Sequence, residues 1–131
     1  MGLMLFDTTF FVDLDREQRR DGKGPAHGVL RDNPEAEMAM SVITRGELAR
    51  GFNERPQWVK FCRGFLILPI NDDILWIAAE SFTTLKKAGL PISDNDLWIG
   101  ATAIHHNLPL VTDNVRHLQR LPGLKVVAYK D

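Results

Sequence analysis

The stretch ISDNDLWIGATAIHHNLPLVTDN, residues 92–114, predicts a helix followed by a buried strand. Ser93 and Asp96 have the spacing of a capping box, in which two side chains satisfy free backbone N–H groups at a helix start. Residues 94–106 then supply small and apolar side chains suited to a packed helix. LPLVT (108–112) is a continuous apolar run, which is typical of a strand covered on both faces. The stretch therefore predicts one helix and strand of an α/β fold.

Strands and helices alternate along the rest of the chain. Short apolar runs predict strands at 3–6, 38–43, 65–70, 108–112 and 124–129. Capping residues, prolines and apolar spacing predict helices at 8–20, 44–52 with Thr44 as the cap, 56–64, 72–88, 94–106 and 114–120. The glycine-rich segment 21–28 predicts a loop, in which Pro25 suits the first turn of a short helix. This alternation indicates a mainly parallel sheet with helices on both faces.

Length and composition indicate a single globular domain over residues 1–131, with 44% hydrophobic and 25% charged residues. No apolar run approaches the roughly 18 residues that a membrane span needs, so we expect no membrane association. The N-terminal segment lacks the pattern of a secretory signal, and a cytoplasmic location is expected. A lone cysteine, Cys62, cannot form an internal disulfide and suits a buried apolar position.

The charges almost cancel, with 16 Lys and Arg against 17 Asp and Glu. The net charge of −1 gives no global basic field of the kind that marks many nucleic-acid-binding proteins. A local basic ring around an acidic site is still compatible with this balance. Candidates for such a ring are Arg16, Arg19, Arg20, Lys23, Lys86 and Lys87, although solvated surface charge is the commoner explanation for any one of them.

Acidic residues follow the predicted strands at positions that a parallel sheet can bring together. Asp7 directly follows the first strand, Glu47 lies one turn into a helix, and Asp96 lies in the first turn of another helix. Alone, each has a simpler explanation as a cap or a surface residue. Together, carboxylates at one sheet edge repel one another unless a cation neutralises them, and such oxygen ligands suit Mg²⁺ or Mn²⁺.

Three motifs resemble the PIN domain, specifically the VapC toxin ribonucleases of VapBC toxin–antitoxin systems. They are LFDTTFFVDL (5–14), SVITRGELARGF (41–52) and ISDNDLWIGATAIHHNLPLVTDNVRHLQRLPGLKV (92–126). The resemblance implies a three-layer α/β/α fold whose mainly parallel sheet has four to five strands. It also implies a Mg²⁺- or Mn²⁺-dependent endoribonuclease that cleaves tRNA, rRNA or mRNA, arrests growth, forms a homodimer and is neutralised by a VapB-like antitoxin.

The family's catalytic acids fall on Asp7, Glu47 and Asp96, and the first and third of these resemble the metal ligands. The fourth position falls on Asn114, but Asp113 stands where the family often has arginine, so either residue could complete the site. Thr9 belongs to a DTT sequence in place of the commoner DTN or DTS, which leaves a direct role for it open. Supporting positions around the pocket fall on Thr8, Ser41, Thr44 and Thr112.

Helical spacing separates the two aspartates of the opening stretch. Asp96, Ile99, Gly100 and Ala103 fall on one helix face, and Asp94 points elsewhere. We therefore expect Asp96 to be the ligand, with Ser93 or Asp94 as the cap.

Other functions share parts of this pattern. A phosphoacceptor signalling domain also has an acid after its first strand, but it needs a lysine after a late strand, where this chain has Asp113. A PIN-like module that binds RNA or protein without cutting it is disfavoured because all three main acids are present. A housekeeping RNA-processing nuclease without an antitoxin stays open as an alternative.

Overall fold

The computed structural model describes residues 2–130, in which strands and helices alternate as the sequence predicts. The elements are β1 (Leu3–Phe6), α1 (Thr8–Arg20), α2 (Pro25–Asp32), β2 (Glu37–Ser41), α3 (Val42–Ala49), α4 (Arg55–Cys62), β3 (Leu66–Leu68), α5 (Asp72–Lys87), α6 (Asp94–His105), β4 (Leu110–Thr112), α7 (Val115–Leu118) and β5 (Val126–Ala128). The predicted fold class, α/β with a central parallel sheet, is confirmed.

The five strands form one sheet in the order β3-β2-β1-β4-β5, and every neighbouring pair is parallel. The chain first builds outward from β1 through β2 to β3, then crosses back and adds β4 on the other side of β1. Leu5 of β1 therefore has Ala39 on one side and Leu110 on the other. In such sheets the crevice beyond the carboxyl ends of the strands, where the order reverses, is the usual ligand site. Here that crevice lies beyond β1 and β4.

Successive strand residues point to opposite faces and fill two separate cores, which explains why the strands are continuous apolar runs. Leu5 is fully buried against residues of α5 and α6, whereas its neighbour Phe6 is 1% exposed and packs against Phe10 and Phe11 of α1. Cys62 is buried in this second core, as predicted. No helix within residues 2–130 combines the length and the apolar character that crossing a bilayer requires.

The predicted boundary between the second strand and the following helix is wrong. The strand ends at Ser41, two residues early, and the helix begins at Val42. The Ser41 Oγ accepts a hydrogen bond from the Thr44 backbone N–H at 3.1 Å, so Ser41 is the N-cap and the predicted cap, Thr44, lies inside the helix. A serine hydroxyl is a strong N-cap acceptor, and it outweighs the strand preference of the next two β-branched residues.

The segment predicted as a loop at 21–28 contains the first half of α2, which begins at Pro25. The N-cap position is Gly24, which has no side chain to satisfy the first backbone N–H groups. Glu17 of α1 does so instead, because its carboxylate accepts hydrogen bonds from the N–H groups of Ala26 and His27 at 3.0 and 2.9 Å. The cap comes from another helix, so local sequence did not reveal it.

Candidate active site

Asp7 lies directly beyond β1, at the crevice, and is only 3% exposed. Its Oδ1 accepts a hydrogen bond from the Thr8 backbone N–H at 2.7 Å, so it caps α1. Its Oδ2 accepts the hydroxyl proton of Thr112, the last residue of β4, at 2.6 Å. Asp7 therefore caps α1 and also lies in the site, and hydrogen bonds hold both of its carboxylate oxygens in place.

Glu47, in α3, reaches the same edge of the sheet through two hydrogen bonds. Its Oε1 accepts the hydroxyl proton of Thr8 at 2.6 Å, and its Oε2 accepts from the Asn95 side-chain amide at 3.1 Å. The Thr8 hydroxyl oxygen also lies 3.0 Å from that of the fully buried Thr44, which in turn lies 3.5 Å from the Ser41 hydroxyl oxygen. Polar side chains of α1, α3 and α6 thus surround Glu47.

Asn95 was not among the predicted site residues. The signal that could have identified it is its position in the first turn of α6, next to Asp96 and facing the edge at which the other acids lie. An amide nitrogen donates hydrogen bonds, and a carboxylate such as that of Glu47 accepts them.

Asp96 lies in the first turn of α6, and its Oδ2 accepts a hydrogen bond from the Asn114 side-chain amide at 3.2 Å. Its backbone N–H donates to the Ser93 hydroxyl oxygen at 3.2 Å, which makes Ser93 the helix cap. Asp94 lies on the other side of the helix, beside Phe82 and Trp98. The structure therefore brings Asp96, and not Asp94, to the other acids.

The Asp96 face of α6 is buried because Gly100 lets the helix approach the segment after α7. A Cβ atom at Gly100 would lie 2.3 Å from the Leu121 Cδ1. The helix face that carries Asp96, Ile99, Gly100 and Ala103 is thus a packing face.

Asn114 and Asp113 follow β4 but have different surroundings. The Asn114 backbone N–H donates to the Thr112 hydroxyl oxygen at 2.9 Å, and its side chain contacts Asp96. The carboxylate of Asp113 is turned toward Lys130, with a separation of 3.6 Å, while its backbone N–H donates to the Thr9 hydroxyl oxygen at 3.3 Å. Of the two candidates for the fourth position, Asn114 is the one that contacts an acid, and Thr9 holds the loop that carries both.

Burial and the charges of neighbouring acids raise the pKa of two of the site carboxylates, those of Asp7 and Asp96. Burial raises the pKa of Asp7 from 3.8 to about 6, against the hydrogen bonds from Thr112 and Thr8, and the charges of Asp96 and Glu47 raise it further. Burial also raises the pKa of Asp96, with a contribution from the charge of Glu47. These three acids therefore lie close enough to feel one another's charge, as acids around a cation do. We call Asp7, Glu47 and Asp96 the acidic triad.

The donor set suits a hard divalent cation held largely by water. Within residues 2–130, no three or more His, Cys, Asp or Glu side chains are preassembled around a common point. Mg²⁺, however, is commonly bound through one or two carboxylates, with waters completing its octahedron. Asp7 and Asp96 would hold such a cation, whose positive charge would offset both the burial and the mutual repulsion that raise the pKa of Asp7. The residues present therefore fit Mg²⁺ or Mn²⁺.

A cleft of about 300 Å³ opens beside Glu47, between α1, α3 and α4. Its walls are mostly apolar, and its rim is charged; the lining comprises Phe11, Val12, Asp15, Arg16, Arg19, Glu47, Leu48, Gly51, Phe52 and Phe61. We call it the α1/α3 cleft. Of the predicted basic ring, Arg16 and Arg19 lie here, 3.6 and 3.1 Å from Asp13 and Asp15 of the same helix.

Comparison with known proteins identifies relatives. The PIN domain model matches residues 4–124. The chain is 34% identical over 128 residues to ribonuclease VapC1 of Methanocaldococcus jannaschii, covering 94% of this chain and 85% of that protein. The VapBC-1 structure from nontypeable Haemophilus influenzae has 29% identity over the full length of both chains, with a TM-score of 0.79. The VapBC2 structure from Rickettsia felis, bound to a DNA fragment from its promoter, has 24% identity. The match covers 98% of each chain with a TM-score of 0.78, and at this identity it indicates a shared fold only.

Proposed function

The chain belongs to the PIN-domain family, and from this premise we propose that it is a Mg²⁺- or Mn²⁺-dependent endoribonuclease, the toxin of a VapBC toxin–antitoxin system. The observation that carries the proposal is the acidic triad at the crevice beyond β1 and β4. Hydrogen bonds from Thr8, Thr112, Asn95 and Asn114 hold the three carboxylates there. The relationship to a ribonuclease at 34% identity supports the same activity.

Asp7 and Asp96 would hold the metal ion, with Glu47 and Asn114 completing the polar wall of the site. When bound, a divalent cation lowers the pKa of a water molecule and stabilises the charge that develops on phosphodiester oxygens. The reaction is hydrolysis: the water oxygen forms a bond to phosphorus, the bond to the leaving ribose oxygen breaks, and that oxygen takes up a proton. No protein nucleophile takes part. Thr8 and Asn95 orient Glu47, and Thr112 orients Asp7.

The substrate class is RNA with unpaired nucleotides, in tRNA, rRNA or mRNA. Sequence-specific RNA recognition mostly uses loops whose bases are free of the helix. The near-zero net charge gives no long-range attraction for RNA, and Arg16 and Arg19 at the rim of the α1/α3 cleft are paired with Asp13 and Asp15, so recognition of the substrate is expected to depend on contacts at the site itself.

We propose that the partner protein is a VapB-like antitoxin that occupies the α1/α3 cleft. The cleft offers exposed or partly exposed apolar surface from Val12, Phe52 and Phe61 and reaches Glu47, so a bound segment would lie at the edge of the acidic triad. An apolar cleft with a charged rim suits an amphipathic segment. The VapBC structures that this chain resembles are toxin–antitoxin complexes, which supports the same kind of assembly.

A second apolar surface supports homodimer formation. Leu75, Trp76 and Phe82 of α5 are 42, 67 and 46% exposed, and a cavity of about 270 Å³ adjoins Phe82. Exposed tryptophan and phenylalanine side chains on one helix are typical of protein interfaces. We expect a dimer by light scattering for the wild type and a monomer for Trp76→Glu; a monomeric wild type would overturn this part.

Nuclease activity is tested with purified protein and structured RNAs in Mg²⁺ or EDTA. Cleavage should require the metal and fall at least 100-fold in Asp7→Asn and Asp96→Asn. Asp94→Asn is the matched control, because Asp94 is the neighbouring acid of the same helical turn and lies on the other side of α6. Cleavage that survives both EDTA and the two site substitutions would exclude the metal-dependent mechanism.

The toxin role is tested in cells. Overproduction should stop growth, Asp96→Asn should abolish the arrest, and co-expression of a small protein encoded next to this reading frame should relieve it. Val12→Glu, at an exposed position in the α1/α3 cleft, should preserve RNA cleavage and weaken this relief. Normal growth on overproduction of an active nuclease would instead favour a housekeeping RNA-processing enzyme.

A further inference from the structure

Asn114 occupies the N-cap position of α7, yet its side chain does not cap that helix. Asparagine at this position ordinarily accepts a hydrogen bond from a backbone N–H of the first helical turn. Here the side chain lies between two other side chains, those of Asp96 and His117. The Asn114 side-chain amide therefore connects α6 to α7.

Donor and acceptor chemistry determines the orientation of this amide. An ionised carboxylate only accepts hydrogen bonds, so the group that faces the Asp96 Oδ2 at 3.2 Å must be the Asn114 Nδ2. The Asn114 Oδ1 then faces the Nδ1 of His117, at 2.7 Å. Because an amide oxygen only accepts, the Nδ1 of His117 must carry the proton. One hydrogen-bonded row runs from His117 through Asn114 to Asp96.

We propose that His117 is a positioning residue for the nuclease reaction, which holds the Asn114 amide so that it donates to Asp96. The inference rests on the proposed function and adds to it a residue that the sequence did not single out. His117 is exposed, and with Asp96, Asn114 and Ser93 it lines an open cleft of about 610 Å³. The His117 ring therefore lies at the solvent-exposed end of the hydrogen-bonded row, and Asp96 lies at the inner end.

A hydrogen bond already fixes the backbone of Asn114, so only the orientation of its side chain is left to be fixed. The backbone N–H of Asn114 donates to the Thr112 hydroxyl oxygen, and Thr112 donates to Asp7. Asn114 thus contacts Asp96 directly and Asp7 through Thr112, and these are the two acids proposed to hold the metal. Without a donor at position 117, the amide can rotate and leave Asp96 without its hydrogen bond.

Four variants separate this role from simple packing. His117→Asn keeps a donor nitrogen two bonds from Cβ, as Nδ1 is, whereas His117→Ala removes the ring and His117→Phe keeps a ring without the donor. Gln119→Ala, at an exposed position just after α7, is the control. We expect kcat for RNA cleavage to fall about 3- to 10-fold in the Ala and Phe variants, as loss of one hydrogen bond predicts, with KM within about twofold of the wild type. The Asn variant and the control should stay within about twofold in both constants.

Mg²⁺ binding to the full chain, measured by calorimetry without RNA, provides a second readout. The dissociation constant should rise about 3- to 10-fold in the Ala and Phe variants and stay unchanged in the Asn variant, because Asp96 is the acid at the end of the row. If the wild type cuts RNA and all variants match it in both assays, the positioning role is excluded and the nuclease function stands. If Mg²⁺ binding follows the expected order but the wild type cuts no RNA, the nuclease function fails, and what stands is that His117 holds the Asn114 amide on Asp96 at the cation site.

Discussion

Thr112 donates its hydroxyl proton to the Asp7 Oδ2 at 2.6 Å, across 105 residues of sequence. The same hydroxyl oxygen accepts the backbone N–H of Asn114 at 2.9 Å. Because β1 and β4 are neighbouring parallel strands, the residues at their carboxyl ends meet at one point. One threonine thereby joins the first acid of the site to the loop that carries Asn114.

Replacing Thr112 by Val should disrupt both contacts with almost no change in shape. Asp7 loses a donor, and the Asn114 N–H loses its acceptor, so unfolding free energy should fall by about 1–3 kcal/mol at pH 7. RNA cleavage should fall about 10-fold or more. Thr112→Ser keeps the hydroxyl and is the matched control. Equal stability of the Val variant and the wild type in urea unfolding would contradict a stabilising role of the Thr112 hydroxyl.

Asp7→Asn should stabilise the protein near neutral pH although it removes activity. The folded-state pKa of Asp7, about 6, lies above the ordinary 3.8, so the fold favours the protonated form. The wild type then has its full stability below pH 4 and loses up to about 3 kcal/mol as the pH rises from about 4 to about 6, with little further change above that. Asparagine avoids this loss, because it is neutral and can still accept from Thr8.

The measurement is urea unfolding of both proteins in EDTA between pH 4 and 8. The stability difference should grow from near zero at pH 4 to about 2–3 kcal/mol at pH 8, in favour of the variant. Asp94→Asn should show no such trend. A variant that is less stable than the wild type at pH 8 would refute the explanation by burial.

Glu17 should show the opposite pH dependence. Burial alone would raise its pKa, but hydrogen bonds from the backbone N–H and ring of His27 and from the Ala26 N–H lower it below 4.5. The ionised group thus stabilises the fold above its ordinary pKa, and this contribution is lost as the pH falls through the lower folded-state value.

Glu17→Gln keeps the shape but replaces one acceptor oxygen by a donor nitrogen. At pH 7 it should cost about 1–3 kcal/mol of unfolding free energy, because a buried backbone N–H or the His27 ring loses its acceptor. The cost should shrink below pH 4. Gln18→Glu, at the exposed neighbouring position, should change stability by less than about 0.5 kcal/mol. An undiminished cost at pH 3 would exclude the charge-assisted cap.

Gly100→Ala should destabilise the fold even though alanine is the better helix former. The added Cβ would lie 2.3 Å from the Leu121 Cδ1 and 3.6 Å from the Leu124 Cδ2, and Leu121 is buried. Overpacking of this kind costs about 1–3 kcal/mol. Gly46→Ala in α3, where nothing lies within 4 Å of the new atom, should instead stabilise by about 0.5–1 kcal/mol. Thermal unfolding of the two variants should therefore shift in opposite directions.

Asn95→Ala should reduce cleavage without removing any acid. Its amide donates to the Glu47 Oε2, and the Thr8 hydroxyl alone would then orient that carboxylate. We expect kcat to fall about 3- to 10-fold. Asn95→Gln, which can reach Glu47 with a longer amide, should restore part of the loss. Equal kcat values for Asn95→Ala and the wild type would show that Glu47 needs no second donor.

Much of the fold could be predicted because it depends on local patterns. Continuous apolar runs such as 3–6 indicated strands buried on both faces, and the alternation with helices indicated a parallel sheet. Boundaries were less accurate where one hydrogen bond decided them, as at Ser41. The cap of α2 could not be predicted, because its acceptor, Glu17, belongs to another helix.

The sequence by itself determined which residues could meet: carboxyl ends of parallel strands and first turns of helices share an edge, and this placed Asp7, Glu47 and Asp96 together as candidates. Only the tertiary structure decided which donor faces which acceptor. Thr8 with Glu47, Asn95 with Glu47, and Asn114 with Asp96 are contacts between side chains of different elements, and their geometry depends on how the helices pack. Periodicity specifies the face on which a residue lies, whereas a hydrogen bond requires positions accurate to a few tenths of an ångström.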